Sequence, residues 1–274
     1  MTADDRRPTV TLGYAEFAPA AAGHPAGGPD QPSTIVFLPG AGVTRRMWDR
    51  QIADLPEYHR IAIDSPGSGR SFALPWESLD ATAALVAELI ERLAIGGRAH
   101  IVGLSMGADV GLRLLATRPE LVRSAVLTGM VAIPVNRTIR WMQWAFAPLA
   151  GTALFHRLSA GALNLRGGAR DEYLAESPPM RTDDYRRIVE EIFSGVSLRG
   201  LESVDVPTLV LAGAKEPRVA RRSTTVIASV MPGAVAAVAP GVGHMWNIDD
   251  PELFGRTVRL WVRDRVVASG VMVG

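Results

Sequence analysis

Cysteine is absent from this 274-residue chain, which excludes disulfide bonds, thiolate catalysis and cysteine-ligated zinc or iron–sulfur clusters. Long apolar runs are absent too: the richest one, residues 125–135, contains Gly129 and Pro134 and is shorter than the roughly 20 residues that cross a bilayer. The first residues place acids before arginines and lack the apolar segment of a signal peptide. We therefore expect a cytoplasmic protein with no membrane partner.

An imbalance of charge is missing as well. The chain has 29 Lys and Arg residues against 28 Asp and Glu residues, and the resulting net charge of +1 provides no field that would attract nucleic acid. Apolar residues make up 47% of the chain and charged residues 21%, which is typical of a globular protein. These values predict a folded protein without a nucleic-acid partner, and they leave the oligomeric state open.

The chain does contain short β-rich runs that alternate with helical patterns. A short strand at 10–17 and a flexible segment rich in Ala, Gly and Pro at 18–33 are predicted first. The later β-rich runs each end at Gly or Pro, at residues 34–40, 59–67, 99–103, 122–129, 208–213 and 234–241. Nearly continuous apolar strands separated by helices are typical of parallel sheets. The sequence therefore predicts the α/β class, with a mostly parallel twisted sheet covered by helices on both faces.

Two helices have clear start signals. Ser78 is a candidate N-cap for a helix whose apolar residues recur every three or four positions, and Asp250 with Pro251 forms a similar start near the C-terminus. Residues 134–200 lack strand signals but contain helix-like aromatic stretches, which indicates an inserted helical cap. We thus predict a core in two parts, residues 1–133 and 201–274, with the cap between them.

The aromatic stretch of the predicted cap offers candidates for substrate binding. Trp141, Trp144 and Phe146 could line a pocket between cap and core, where ligand pockets often lie. Aromatic residues at helical spacing also fit simple packing against the body of the protein, and that alternative stays open.

The most informative motif is G-x-S-x-G at residues 103–107, where a β-rich run meets a helical one. A serine at such a strand-to-helix turn is held in strained backbone geometry that exposes its hydroxyl, and the flanking glycines leave room for the turn. The dipole of the following helix favours negative charge at its N-terminus. Ser105 is therefore the candidate nucleophile, against the alternative of an ordinary glycine turn.

At this point the chain resembles the α/β-hydrolase family, from about residue 34 to about residue 266. Residues 38–48 look like the loop that follows an early strand in that family, and the resemblance implies an oxyanion hole formed by the backbone N–H groups of Ala41 and Met106. Residues 64–71 are similar to the family's D-x-x-G-x-G-x-S loop, a structural signature. The resemblance also implies that His244, in a loop before the last helix, is the general base.

The chain has five histidines that could activate a serine, at positions 24, 59, 100, 156 and 244. Only His244 lies in a Gly-rich loop beyond a late strand, and His156 in the predicted cap is the reserve candidate. The family's acid position, after the strand at 208–213, is occupied by Glu216, which could instead be a solvated charge paired with Lys215 or Arg218. Two nearby aspartates fit helix capping better than this role, namely Asp249 and Asp250.

These residues predict a serine hydrolase that cleaves a carboxylic ester, lactone or thioester of a small, largely apolar substrate through an acyl-enzyme on Ser105. Carbon–carbon bond hydrolysis, perhydrolysis and a non-catalytic ligand- or partner-binding role remain alternatives. Epoxide hydrolases and haloalkane dehalogenases are disfavoured, because they have Asp at the elbow. We expect no metal, since no cluster has ligand spacing, and no organic cofactor, since the glycines at 67–69 lack the G-x-G-x-x-G arrangement.

Overall fold

The computed structural model describes residues 11–20 and 32–274, and within them the chain forms one eight-stranded sheet. Its strands are β1 (Tyr14–Phe17), β2 (Thr34–Leu38), β3 (His59–Ile63), β4 (Ala99–Leu104), β5 (Val122–Thr128), β6 (Thr208–Gly213), β7 (Ala234–Ala239) and β8 (Met272–Val273). Their order across the sheet is β1-β3-β2-β4-β5-β6-β7-β8. All neighbours are parallel except at the two edges, where β1 and β8 run antiparallel. The predicted mostly parallel α/β sheet is confirmed.

Ten α-helices lie between the strands of the described residues. They are α1 (Asp49–Asp54), α2 (Leu79–Leu93), α3 (Met106–Thr117), α4 (Arg137–Phe146), α5 (Ala153–Ala162), α6 (Gly167–Ala175), α7 (Thr182–Phe193), α8 (Arg218–Val230), α9 (Trp246–Asp249) and α10 (Pro251–Asp264). In this part of the chain, no helix combines the length and the apolar content needed to cross a membrane.

The sheet is covered on both faces, as its apolar strands require. Every residue of β2 is buried, and its side chains alternate between two clusters. Val36 and Leu38 pack with α2, α3 and α8, whereas Ile35 and Phe37 pack with α1 and α10. A strand that is buried on both faces has no polar side to show, which explains the continuous apolar run in the sequence.

The two predicted helix starts are confirmed. The Ser78 hydroxyl accepts a hydrogen bond from the Ala81 amide at 3.0 Å, and the Asp250 carboxylate accepts one from the Leu253 amide at 3.0 Å. Pro251 occupies the first position of α10. The predicted opening strand begins at 14 rather than 10, and its first residue, most of the predicted flexible segment and His24 lie outside the described residues.

Helices α4 to α7 lie between β5 and β6 in the chain, within the segment predicted to be a cap. Helix α7 attaches this segment to the core, because Ile188 and Ile192 join the cluster beneath α3. On its other side, Tyr185 and Val189 pack with the turn that follows α4. By contrast, no residue of α4 is buried.

Helix α3 contains a buried carboxyl group four residues after Ser105. Asp109 is 1% exposed, and neither of its carboxyl oxygens has a hydrogen-bond partner among the described residues. Burial, with a smaller contribution from Glu191 of α7, raises the pKa of Asp109 well above its usual range. The same group has a pKa of about 3.9 in an unfolded chain. Above that pH the folded protein binds the extra proton, so the free energy of unfolding decreases as the pH rises.

Replacing Asp109 with Asn removes this titration while keeping the side-chain shape. We expect D109N to have a higher free energy of unfolding than the wild type, with a difference that grows from pH 5 to pH 8 by about 1.4 kcal/mol or more, the value of one pKa unit. Urea unfolding at several pH values measures this difference. The exposed Asp183 of α7 supplies the control variant D183N. A difference between D109N and wild type that is constant across pH would contradict the prediction.

Candidate active site

Ser105 occupies the sharp turn between β4 and α3. Its backbone has φ 56° and ψ −126°, in the positive-φ region that residues with a side chain adopt only under strain. The turn is held on both sides: the Ser105 amide donates to the Thr128 carbonyl at 2.8 Å, and the Ser105 carbonyl accepts from the amides of Ala108 and Asp109. These bonds fix the serine at the start of α3 with its side chain on the wall of a cavity.

The glycines of the motif are needed because the first turn of α3 contacts its neighbours closely. A β-carbon on Gly107 would lie 2.1 Å from the carbonyl oxygen of Leu38, at the end of β2. One on Gly103 would lie 2.6 Å from the carbonyl oxygen of Gly107. Without side chains at these two positions, the elbow lies directly against the loop that follows β2.

That loop carries the first predicted oxyanion donor. Ala41 lines the same cavity as Ser105, and a β-carbon on the preceding Gly40 would lie 3.5 Å from the Ser105 β-carbon. Met106, the second predicted donor, is the first residue of α3, where helix amides lack partners within the helix. Among the described residues, neither amide donates a hydrogen bond to a protein acceptor. Both are therefore available to an oxygen bound at the elbow.

The loop carrying Ala41 is fixed by the predicted signature at residues 64–71. The carboxylate of Asp64 is fully buried and accepts hydrogen bonds from the Arg45 amide at 2.8 Å, the Arg45 guanidinium at 2.7 Å and the Arg70 amide at 3.0 Å. The Ser68 hydroxyl donates to the Val43 carbonyl at 3.0 Å. The signature thus ties together the loops that follow β2 and β3.

His244 lies in the loop after β7, and its Nδ1 atom is 2.8 Å from Oε2 of Glu216. The Glu216 side chain is 2% exposed, and its other oxygen accepts from the Gly213 amide at 2.9 Å. A carboxylate only accepts hydrogen bonds, so the proton of the neutral ring lies on Nδ1 and Nε2 is left as the acceptor. Glu216 pairs with neither Lys215 nor Arg218 in the described residues.

The histidine ring and the serine turn meet beside Gly129, just after β5. A β-carbon on Gly129 would lie 2.8 Å from Cε1 of His244 and 3.6 Å from the amide nitrogen of Ser105. The residue has φ 76°, which also favours glycine. Ser105 and His244 line one cavity, so the structure brings the predicted nucleophile and base together. Any side chain at Gly129 would occupy the space of the imidazole.

A chain of four buried aromatic rings connects the loop of His244 to β2. The centroids of Trp246 and Phe254 are 4.6 Å apart, those of Phe254 and Trp48 are 5.6 Å apart, and those of Trp48 and Phe37 are 5.5 Å apart. The Trp246 indole also donates to the Thr128 hydroxyl at 3.0 Å. Because Trp246 follows His244 by two residues, this packing anchors the loop of His244 to the core.

The other candidates for base and acid are used differently. His156, in α5, is buried in the cavity wall; burial lowers its pKa, against a smaller opposing effect of the Pro178 backbone, and it pairs with no carboxylate in the described residues. His100 is buried between strands, and desolvation lowers its pKa to about 3. Asp250 caps α10, and Asp249 is an exposed carboxyl whose pKa is raised mainly by partial desolvation, against an opposing effect of Lys215.

The cavity has a volume of about 270 Å³ and lies between the carboxyl ends of the central strands and the helices α4 to α7. Its wall is largely apolar, with Phe155, Met180 and Ile188 among the contributing side chains. A polar pair interrupts it: the Tyr185 hydroxyl donates to the side-chain oxygen of Gln143 at 2.7 Å. Sequence reasoning missed both residues, although Gln143 is the one polar residue in the aromatic run 141–146 of the printed sequence.

The structure places the aromatic residues that were predicted to bind substrate outside the cavity at Ser105. Trp141, Trp144 and Phe146 are 69%, 48% and 45% exposed, and none of them lines the cavity at Ser105. The reason is the rotation of α4, which turns Gln143 toward the cavity and leaves the aromatic side chains on the outer flanks. The guanidinium of Arg186 lies over the Trp144 ring, 4.6 Å from its centroid. Within the described residues, no group of His, Asp and Glu side chains is arranged to hold a metal ion.

Several known proteins resemble this chain in sequence or in fold. RutD of Pseudomonas syringae pv. syringae (strain B728a), named as a candidate carbamate hydrolase, is 29% identical over 84% of this chain and 93% of its own length. The (E)-2-((N-methylformamido)methylene)succinate hydrolase of Acinetobacter baylyi is 27% identical over 83% of this chain and 89% of its own.

Among solved structures, the enol-lactonase of Burkholderia xenovorans LB400 superposes with a TM-score of 0.76 at 20% identity, covering 92% of this chain and 96% of its own. At that identity the likeness concerns the fold alone. The model of the alpha/beta hydrolase family matches residues 35–257, which includes the elbow serine, the buried glutamate and the loop histidine. The chain belongs to the alpha/beta hydrolase family.

Proposed function

We propose that this hydrolase cleaves a carboxylic ester, or a related lactone or thioester, through an acyl-enzyme on Ser105. The observation that carries the proposal is the His244–Glu216 hydrogen bond of 2.8 Å on the same cavity wall as a strained serine. A serine hydroxyl is a weak nucleophile until a base removes its proton, and an imidazole held by a buried carboxylate is suited to do so.

In the proposed mechanism, Ser105 attacks the carbonyl carbon while its proton moves to Nε2 of His244. The amides of Ala41 and Met106 stabilise the negative oxygen that forms, and the N-terminus of α3 adds its dipole. His244 then gives the proton to the leaving alcohol, or to a leaving thiol. Water repeats the cycle on the acyl-enzyme and releases the acid. Glu216 keeps the imidazole in the reactive tautomer and stabilises the imidazolium.

The cavity supports a small, largely apolar substrate. Its volume of about 270 Å³ is at the lower end for ligand sites, and its wall is mostly aliphatic and aromatic. The Gln143–Tyr185 pair is a polar feature of the cap side, together with His156 and Ser159, and it suits a substrate that carries a polar group away from the scissile bond. The names of the relatives favour hydrolysis at a carbonyl bonded to oxygen or nitrogen, so carbamates belong in the substrate panel.

A non-catalytic binding role fits the elbow less well. The positive φ of Ser105 costs of order 1–3 kcal/mol, and a protein that only binds a ligand gains nothing from that strain. The strain is useful when the hydroxyl must stand clear of the backbone for attack. Trapping of the nucleophile distinguishes the two roles directly.

The nucleophile is tested with S105A and a fluorophosphonate probe. We expect the wild type to be labelled at residue 105, as located by mass spectrometry, and S105A to lose at least about 10³-fold in kcat/KM on nitrophenyl esters of increasing acyl length. Lactones, thioesters and carbamates assayed in parallel define the scissile bond.

Ser159 provides a matched control, because it lines the same cavity without standing at the elbow. S159A should still be labelled at residue 105 and should hydrolyse the esters. Ester turnover by S105A at the wild-type rate would end the proposed role of the serine, and an unlabelled, inactive wild type would favour the binding role.

The acid is tested by replacing Glu216 with Gln. An amide at this position can force the wrong tautomer of His244, and we expect kcat to fall by about 10³- to 10⁴-fold with little change in KM. Steady-state kinetics on the best nitrophenyl ester measure both constants. Asp249, the other carboxyl near the base in sequence, supplies the control D249N, which should keep wild-type kcat. If D249N loses activity and E216Q keeps it, the acid is Asp249.

A further inference from the structure

Helix α4 is rich in large apolar residues, and yet it is exposed to solvent. None of its ten residues is buried, and five large apolar side chains are open to solvent. They are Ile139, Trp141, Met142, Trp144 and Phe146. Single exposed apolar residues are common on protein surfaces, but five on one helix mark an interaction surface. We call these five residues the α4 surface.

The charges on α4 itself have one sign. The charged residues of α4 itself are two arginines, Arg137 and Arg140. The sequence contains no Asp or Glu from residue 121 to residue 170. A third arginine, Arg186 of α7, has its guanidinium over the Trp144 ring. It is also paired with Asp183, at 3.6 Å. In the described residues that line the groove beside Trp141 and Trp144, Glu190 is the one carboxylate.

This combination of charge and apolar exposure selects the partner. A second copy of the chain, docked through the same surface, would bring the arginines of two α4 helices close to one another, which is unfavourable. An anionic lipid surface attracts the arginines, and it accepts Trp, Phe and Met at the boundary between headgroups and acyl chains. The net charge of the whole chain, +1, does not show the positive charge of α4, because acidic residues elsewhere in the chain offset it.

We propose that the α4 surface docks the protein on anionic lipid bilayers. The helix lies in the plane of the membrane surface, the two tryptophans of the α4 surface, which lie on the side opposite Gln143, enter the headgroup boundary, and Arg137 and Arg140 contact lipid phosphates. The other three apolar side chains flank this contact. Gln143, from the same helix, lines the cavity. Docking therefore brings the cap side of the cavity close to the lipid surface. This docking does not depend on the chemistry at Ser105, and S105A binds the membrane as the wild type does.

The test is co-sedimentation of the full chain with large vesicles. Vesicles of phosphatidylcholine and phosphatidylglycerol in equal parts are compared with vesicles of phosphatidylcholine alone, at low and at physiological salt. We expect binding to the anionic vesicles that weakens with salt, and little binding to the neutral ones. W141S should lower the partition coefficient about tenfold, as loss of one large buried apolar side chain predicts.

The chain offers a matched pair of methionines as a control. Met142 on α4 is 44% exposed, and Met272 on the edge strand β8 is 56% exposed. M142S should weaken vesicle binding, M272S should not, and R137Q with R140Q should remove the preference for anionic vesicles. Thermal unfolding of each variant establishes that it is folded.

Three results would overturn the proposal. They are a wild type that stays in the supernatant with anionic vesicles at low salt, equal losses for M142S and M272S, and a concentration-dependent dimer that W141S abolishes. The last result, read by analytical ultracentrifugation, would identify a second copy of the chain as the partner of the α4 surface.

Discussion

The site depends on one contact, between the first turn of α3 and the end of β2. Gly107 allows it, because any larger residue would collide with the Leu38 carbonyl. The contact brings the strained turn at Ser105 against the loop of Ala41, so that these two residues from distant parts of the chain line one cavity. Hydrogen bonds from the elbow to β5 and into α3 hold the strained turn in place.

The sheet order explains how the remaining groups arrive at the same point. β5, β6 and β7 are parallel neighbours. The loops that follow these three strands therefore all leave the sheet at the carboxyl ends of the strands. Glu216 comes from the first of these loops and His244 from the second. A glutamate serves here because Gly213, three residues upstream, binds one of its oxygens and directs the other at the imidazole.

Local signals in the sequence predicted the strands, the caps at Ser78 and Asp250, and the elbow, because turn chemistry and apolar periodicity act over a few residues. The face of α4 that turns inward could not be predicted in this way. It depends on the contacts of that helix with α7 and the cavity, so the sequence did not show that Gln143, rather than Trp141, lines the cavity at Ser105. The burial of Asp109 could not be predicted either, since a carboxyl in a helical pattern normally faces water.

The aromatic chain from Phe37 to Trp246 has a consequence for the energetics of turnover. The strand that precedes the loop of Ala41 and the segment that follows His244 are joined by one block of packed rings, each fully buried. In the proposed mechanism, dipoles fixed in this way need not reorient when charge develops on a bound molecule, so the free energy of orienting them is a cost of folding rather than of each turnover. Adaptation to different ligands is thereby left to the helices above the sheet.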